Sequence, residues 1–194
     1  MLFVSWVPVL VSLALADPPV TFALHLAVAT DERDQPVARP EWLTEQVADA
    51  QRLFAPLGVA FVRQDAPSLG RGAQHLETRA DRDALAAHVT PHVVNVFIVG
   101  SLRDVDEPTR MRRGVHWHAP SRTHYVIVVA SAPASVLAHE LGHFFGNPHS
   151  QVPDNVMSYE RTGAPVFFDE TQGRRIEQRA QAYVRSGELV PIEP

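Results

Sequence analysis

Residues 139–149 read HELGHFFGNPH and set His139, His143 and His149 in fixed register with Glu140 and Gly146. Histidines four residues apart on a helix lie on one face, so both imidazoles can reach one ion. Gly146 can take the positive φ that ends a helix, and the following turn brings back His149. Three protein ligands leave one corner of a tetrahedral zinc site open, as in catalytic zinc sites. Glu140 lies beside that corner and is predicted to be the general base.

A methionine follows the histidine motif at a short interval, in the segment NVMSY. With Met157 at this spacing, HELGHFFGNPHS resembles the metzincin zinc metallopeptidases, in which a tight turn carries a methionine beneath the metal site. The short spacing and Ser150 after the third histidine resemble the matrixin branch. Tyr159 instead resembles the astacin and serralysin branches, where this tyrosine is a movable zinc ligand and hydrogen-bond donor. Because the two features point to different branches, the resemblance identifies the clan and no named family.

The resemblance implies a small α+β catalytic domain of metzincin type. Its parts are a mixed twisted sheet with an edge strand at the cleft, a zinc-binding active-site helix, a methionine turn and a C-terminal helix. The implied activity is that of a zinc-dependent metalloendopeptidase, which hydrolyses internal peptide bonds with a zinc-activated water and Glu140 as base. One catalytic Zn²⁺ is expected. Tyr159 then donates a hydrogen bond in the transition state, or is an ordinary core tyrosine.

Two other classes of function remain open at this point. The chain could be a zinc-stabilised binding module without activity, or an amidase that acts on cell-wall peptides. Glu140 weighs against the binding module, because a structural site needs its ligands but not a base.

Composition indicates a single globular domain. The chain has 194 residues, of which 45% are hydrophobic and 20% charged, a normal balance for one domain with a substantial core. The net charge of −5 is mild, and the basic residues are not gathered in one run, so nucleic acid is not expected as a partner. A protein or peptide substrate and a monomeric state are expected. The chain has no cysteine, so its stability must come from the core and the metal.

The first 16 residues, MLFVSWVPVLVSLALA, form an apolar stretch that ends in small residues. This pattern predicts an export signal cleaved after Ala16, with the metallopeptidase domain covering residues 17–194. A secreted or periplasmic protein without stable membrane association follows. An uncleaved membrane anchor remains the alternative, because the usual positive charge near the start is missing.

Periodicity predicts alternating strands and helices, and hence a mixed sheet with helices packed on it. The predicted strands are 20–29, 59–63, 93–99, 114–118 and 125–130, and the predicted helices are 42–54, 79–88, one beginning at 135 and one from 170 to about 185. Residues 114–118 are expected at the sheet edge. Asp169 and Gln172 predict a capping box for the last helix. Residues 64–74 and 101–114 are predicted loops, the second a solvated surface of mixed charge.

A second group of candidate ligands comprises His116, His118 and His124. In matrixins a loop in this region binds a structural zinc, and the segment GVHWHAP resembles it, but the supporting aspartates are missing. A second structural ion is therefore not expected, and the segment is predicted to form the cleft rim, to which an extended peptide adds. Residues 160–168 either wall the pocket for the residue after the scissile bond or anchor the last helix through Phe167 and Phe168.

Overall fold

The chain begins with strand, helix and strand, and four consecutive strands precede the helix of the histidine motif. The computed structural model describes residues 18–193. The strands are β1 (Val20–Val28), β2 (Val59–Asp65), β3 (His75–Leu76), β4 (Val94–Val99), β5 (Ser101–Leu102), β6 (Gly114–His118) and β7 (His124–Val129), and the helices are α1 (Pro40–Phe54), α2 (Arg79–Ala84), α3 (Ser135–Phe144) and α4 (Glu170–Ser186). Each predicted element is present with ends that move by two residues at most, except that residues 85–88 form a 3₁₀ turn instead of continuing α2.

The main sheet has the strand order β2-β1-β4-β7-β6. Its first four strands are parallel, and β6 pairs antiparallel with β7 at the edge. Parallel strands are stable only when both faces are covered, and β4 is accordingly buried along its whole length. The sheet is thus mixed, with residues 114–118 at its edge as expected. The two predicted loops contain more strand than the sequence indicated, because β2 extends to Asp65 and β5 pairs with β3.

Both faces of the sheet carry a hydrophobic core. On one face, Phe22 and Leu24 of β1 pack with residues of α1, α3 and α4, and we call this face the helical side. On the opposite face, the rings of Phe97 and Tyr125 meet edge to face with centroids 5.0 Å apart. This second core is closed by the segments around β3 and α2. The histidine motif lies on the helical side.

A buried glutamine of α1 fixes the beginning of α3. The Nε2 atom of Gln46 donates to the carbonyls of Ala132 and Pro133 at 3.2 and 2.9 Å, and its Oε1 atom accepts from the N–H of Leu137 at 3.2 Å. The first N–H groups of a helix have no partner within the helix. Gln46 satisfies one of them and so holds the start of the motif helix against α1.

The last helix holds the other end of α3. Asp169 and Gln172 form the predicted capping box, with bonds of 2.8 and 2.9 Å, and the helix ends at Gly187 with φ of 75°. The hydroxyl of Tyr183 donates to the carbonyl of Phe144 at 2.8 Å. Since that carbonyl lies in the last turn of α3, both ends of the motif helix are fixed by other helices.

The predicted export signal, residues 1–16, and the expected start of the mature domain at residue 17 lie outside the described residues. Between residues 18 and 193, no helix is long and apolar enough to cross a membrane.

Candidate metal centre

Three imidazole rings meet at one point beside α3. His139 and His143 are one turn apart on this helix, and Gly146 has φ of 86° where the chain turns back. The Nε2 atom of His143 lies 3.1 Å from the Nε2 atoms of both His139 and His149. The structure therefore brings the three histidines of the motif together.

Main-chain carbonyls fix the tautomers of two of these rings. The Nδ1 atom of His139 lies 2.7 Å from the carbonyl of Val156, and that of His143 lies 2.8 Å from the carbonyl of Asn147. A carbonyl only accepts, so both Nδ1 atoms carry hydrogen and both Nε2 atoms carry a lone pair. Two lone pairs 3.1 Å apart repel each other unless a cation lies between them. Carbonyl partners of this kind orient histidine ligands in metal sites.

The spacing of the nitrogens fits zinc. Zinc binds imidazole nitrogen at about 2.0–2.1 Å, so two ligands of a tetrahedral ion lie about 3.3 Å apart. The separations of 3.1 Å are close to that value.

Burial keeps the rings neutral, as metal ligands must be. The pKa of His139 is lowered to about 4, mainly by burial and also by the neighbouring imidazoles, while the hydrogen bond to the Val156 carbonyl opposes this shift. Burial also lowers the pKa values of His143 and His149. All three rings thus offer lone pairs at neutral pH.

Glu140 is buried beside the imidazoles, with 6% of its surface exposed. Burial raises the pKa of its carboxyl group more than the main chain of His116 and the charge of Arg112 lower it, and the resulting pKa is about 8. A divalent cation at the imidazoles would lower it further, because it stabilises the carboxylate. The carboxylate lines the same cavity as His139 and His149.

A glycine of the edge strand makes room for this carboxylate. A Cβ atom on Gly114 would lie 2.8 Å from both Cγ and Oε1 of Glu140 and 2.9 Å from Val136. No side chain larger than hydrogen fits there without moving Glu140.

Tyr159 contacts the third histidine of the cluster. Its hydroxyl lies 2.8 Å from Nε2 of His149, and 71% of its surface is exposed. The exposed ring excludes the alternative of a core tyrosine.

Met157 packs against Gly142, in the turn of α3 that lies between His139 and His143. The residue is fully buried, and a Cβ atom on Gly142 would lie only 2.3 Å from its sulfur atom. Its N–H donates to Oδ1 of Asn155 at 2.9 Å, and its carbonyl accepts from the N–H of Ser150 at 2.9 Å. The methionine turn therefore lies against α3 and beside the segment that carries the third histidine.

Two polar residues that the sequence did not indicate, Asn155 and Arg161, hold this turn together with Gln172 of the predicted capping box. The side-chain amides of Asn155 and Gln172 exchange two hydrogen bonds of 2.8 and 3.0 Å in a buried pair, which joins the turn to the start of α4. The guanidinium of Arg161 donates to the carbonyls of Asn155, Ser158 and Glu160 at 2.6–3.1 Å. No spacing in the sequence signals such contacts, because carbonyls are recognised only once the loop has its shape.

The metal centre opens into a cleft with a volume of about 710 Å³. Edge strand β6 borders it through Gly114, and Arg112 and Arg113 line it nearby. Arg112 pairs with the buried carboxylate of Asp104 at 2.7 Å. The loop preceding β6 was predicted as solvated surface, but these arginines make it a wall of the cleft.

The segment after the methionine turn contributes a different residue to the cleft than expected. Val166 lines it. Phe168 instead packs edge to face on Phe54 with centroids 5.0 Å apart, and Phe167 is 42% exposed. Phe168 therefore packs into the core against α1 and does not line the cleft.

The second histidine group is also assembled. One nitrogen atom from each of His116, His118 and His124 lies within 4.8 Å of the others. These rings lie on the helical side, where His124 stacks on Phe144 with centroids 4.4 Å apart.

The fold is similar to that of a solved structure, archaemetzincin from Methanopyrus kandleri. The match has a TM-score of 0.57 and 18% sequence identity, and it covers 84% of this chain and 97% of that chain. No protein-family model matches the sequence, and neither does any curated protein. The likeness therefore establishes an archaemetzincin-like α/β fold.

Proposed function

We propose that the protein is a zinc-dependent metalloendopeptidase that hydrolyses internal peptide bonds, with His139, His143 and His149 as ligands of one catalytic zinc ion. The observation that carries the proposal is the set of imidazole lone pairs 3.1 Å apart beside a buried carboxylate. The likeness of the fold to archaemetzincin, whose name places it among the metzincins, supports the same reading.

Glu140 moves the proton in the proposed reaction. Zinc held by three imidazoles lowers the pKa of water to about 7 and polarises a carbonyl group. As water oxygen bonds to the peptide carbonyl carbon, the Glu140 carboxylate takes a proton from it. When the C–N bond breaks, the carboxyl group returns that proton to the leaving amine. Burial fixes the carboxylate in the cavity, beside Gly114 of the edge strand.

Edge strand β6 is the proposed substrate platform. Its second edge has no strand partner within residues 18–193, so an extended peptide can pair with it through main-chain hydrogen bonds. Gly114 begins the strand next to Glu140. A peptide paired there passes over the three imidazoles, and the Tyr159 hydroxyl would donate to the developing oxyanion once Nε2 of His149 binds an ion instead of this hydroxyl.

The buried carboxylate argues against a binding module. An isolated buried carboxylate destabilises a fold, and the raised pKa of Glu140 reflects this cost. A structural zinc site has no use for such a group. The amidase alternative shares the chemistry and differs only in substrate.

The test compares Glu140→Gln with the wild-type protein and with His149→Ala. We expect Glu140→Gln to keep the zinc content of the wild type and to lose about 10²- to 10⁴-fold in cleavage rate of an unfolded protein. His149→Ala should lose the zinc ion of the histidine motif as well as activity. Zinc binding without cleavage by either the wild type or Glu140→Gln would instead favour the binding module, and equal cleavage by both would refute Glu140 as the base.

Substrate class is tested with a panel of unfolded proteins and cell-wall peptide fragments. Cleavage of the cell-wall fragments alone would replace the endopeptidase by the amidase. We further propose that the protein acts as a monomer in the periplasm or outside the cell. Export predicts that the N-terminus of the exported protein is Asp17, which N-terminal sequencing checks.

A further inference from the structure

The second histidine group is as compact as the first. His118 faces His124 across the β6–β7 ladder, and His116 lies two residues earlier on the same face of β6. Ring centroids in this group are 4.5, 5.0 and 5.3 Å apart. The corresponding distances in the group on α3 are 4.6, 4.7 and 5.4 Å. Two adjacent strands thus hold three imidazoles within the range that a single ion requires.

A carboxylate orients one of these rings. The Nε2 atom of His124 lies 2.5 Å from Oε1 of Glu188. Since an ionised carboxylate only accepts, Nε2 carries hydrogen and Nδ1 carries the lone pair, which points to Nε2 of His116 at 2.7 Å. A carboxylate behind a histidine in this way is typical of metal-binding histidines. Glu188 follows α4, so no motif in the sequence connects it to the hairpin.

The cluster of His116, His118 and His124 is packed against aromatic rings on its inner side and exposed to solvent on its outer side. The rings of Phe144 and Tyr183 pack against His124 with centroids 4.4 and 5.8 Å away, and they exclude water from the inner side. His118 is exposed at the outer end of the hairpin. An ion can therefore enter from solvent and keep water at its remaining corner.

We infer that His116, His118 and His124 bind a second divalent metal ion of the zinc class, with Glu188 fixing the His124 ring. Imidazole ligands suit zinc and the neighbouring transition metals. Binding widens the 2.7 Å separation of His116 and His124 to about 3.3 Å, which small rotations of the two rings supply. This site reverses the expectation from sequence, and its ligands lie on strands of the helical side.

The second ion would act on the cleft through the edge strand. Strand β6 lies against Glu140 at Gly114, and two residues later it carries His116, whose side chain belongs to the hairpin site. An ion there joins β6 to β7 and, through Glu188, to the segment after α4. It thereby stiffens the strand proposed to receive substrate, without contacting the reacting atoms.

Metal counting tests this inference independently of catalysis. Purified protein is saturated with Zn²⁺, freed of excess metal and analysed by mass spectrometry. We expect two equivalents in the wild type, one in His118→Ala, one in His149→Ala and none in the double variant. His88→Ala, which removes an exposed histidine elsewhere, should keep two. Circular dichroism confirms that each variant is folded.

The outcomes separate the two sites. In one outcome, the wild type binds only one equivalent of Zn²⁺, which His149→Ala loses and His118→Ala keeps. That result would overturn the hairpin site and leave the proposed catalytic zinc intact. Two equivalents in His118→Ala would also overturn it. If the wild type binds one equivalent of Zn²⁺ that His118→Ala loses and His149→Ala keeps, the hairpin site is supported and the catalytic site is contradicted.

Glu188→Gln tests the orienting carboxylate. We expect its Zn²⁺ affinity at the hairpin site to fall about 10- to 100-fold relative to wild type, measured in a His149→Ala background so that one site is observed. Glu177→Gln, on an exposed position of α4, should leave this affinity unchanged. Equal affinities in the two variants would remove Glu188 from the site.

Discussion

Replacement of Gly142 by alanine tests the contact between the motif helix and the methionine turn. The added Cβ atom would lie 2.3 Å from the sulfur of Met157, 3.2 Å from its Cε atom and 3.3 Å from Phe168. Ordinary contacts of this kind are about 3.5–4.0 Å. Because Met157 is fully buried, it cannot move aside without disturbing the turn.

The size of the effect follows from two opposing contributions. Overpacking of a core costs about 1–3 kcal/mol, and a contact this short belongs at the upper end. Alanine in place of glycine inside a helix stabilises by about 1 kcal/mol. We therefore expect a net loss of about 2 kcal/mol in the free energy of unfolding. In a protein of this size, that lowers Tm by about 4–8 °C.

The assay is thermal unfolding of the zinc-loaded protein followed by circular dichroism. Gly72→Ala is the control, because a Cβ atom there meets nothing within 4 Å, and it should leave Tm unchanged or raise it slightly. In a Met157→Ala background the clash with sulfur is absent, so Gly142→Ala should destabilise much less there than in the wild type. A Tm for Gly142→Ala at or above that of the wild type, with Met157 in place, would refute the reasoning.

Three further predictions concern the cleft. Gly114→Ala should keep zinc but lower kcat/KM by about 10²-fold, because its Cβ displaces Glu140; unchanged kinetics would show that the carboxylate position is not critical. Tyr159→Phe should lower kcat by about 10²-fold with little change in KM or zinc content, and an equal rise in KM would indicate a binding contact instead. In the metal-free folded protein, Glu140 keeps a proton between pH 4.5 and about 8, whereas in the unfolded chain it has lost that proton. The free energy of unfolding therefore falls as pH rises through this range. Glu140→Gln should remove this fall and be more stable than wild type at pH 8 but not at pH 4.5, as urea unfolding at both pH values measures.

The pH response of the histidines has the opposite sign. The pKa of His139 is lowered to about 4 in the folded, metal-free protein, so the unfolded state binds more protons between pH 4 and 6.5. Its contribution to stability is complete above pH 6.5 and is lost as pH falls toward 4. The pH dependence of the free energy of unfolding that remains in Glu140→Gln therefore reports His139 without the contribution of Glu140.

The elements of the fold were predictable because their signals are local. Strand β4 is an apolar run of the length of a buried strand, and the capping box of Asp169 and Gln172 is a pattern of four residues. The short pair β3 and β5 was missed because two-residue strands have no measurable period. Their pairing exists only because the chain brings these segments together over the second core.

The convergence of His139, His143 and His149 was predictable from the sequence, but the residues that hold them in place were not. The histidine spacing of a helical turn fixes which rings meet. Gln46, Asn155 and Arg161 satisfy main-chain groups of segments distant in sequence or of irregular loops. Glutamine and asparagine side chains are usually exposed, so the burial of Gln46 and Asn155 depends on contacts that no local pattern encodes.

These supports explain how a short motif becomes a rigid site. The positions of His139 and His143 depend on α3, whose start is held by Gln46 and whose end is held by Tyr183. The carbonyl that orients His139 belongs to Val156 in the methionine turn, and the adjacent Asn155 bonds to the cap of α4. Helices α1 and α4 therefore hold the ring nitrogens of His139 and His143 from two directions. Since ordered ligands avoid the entropy of assembling the site at each binding event, loosening either helix contact should weaken zinc binding even where no ligand is changed.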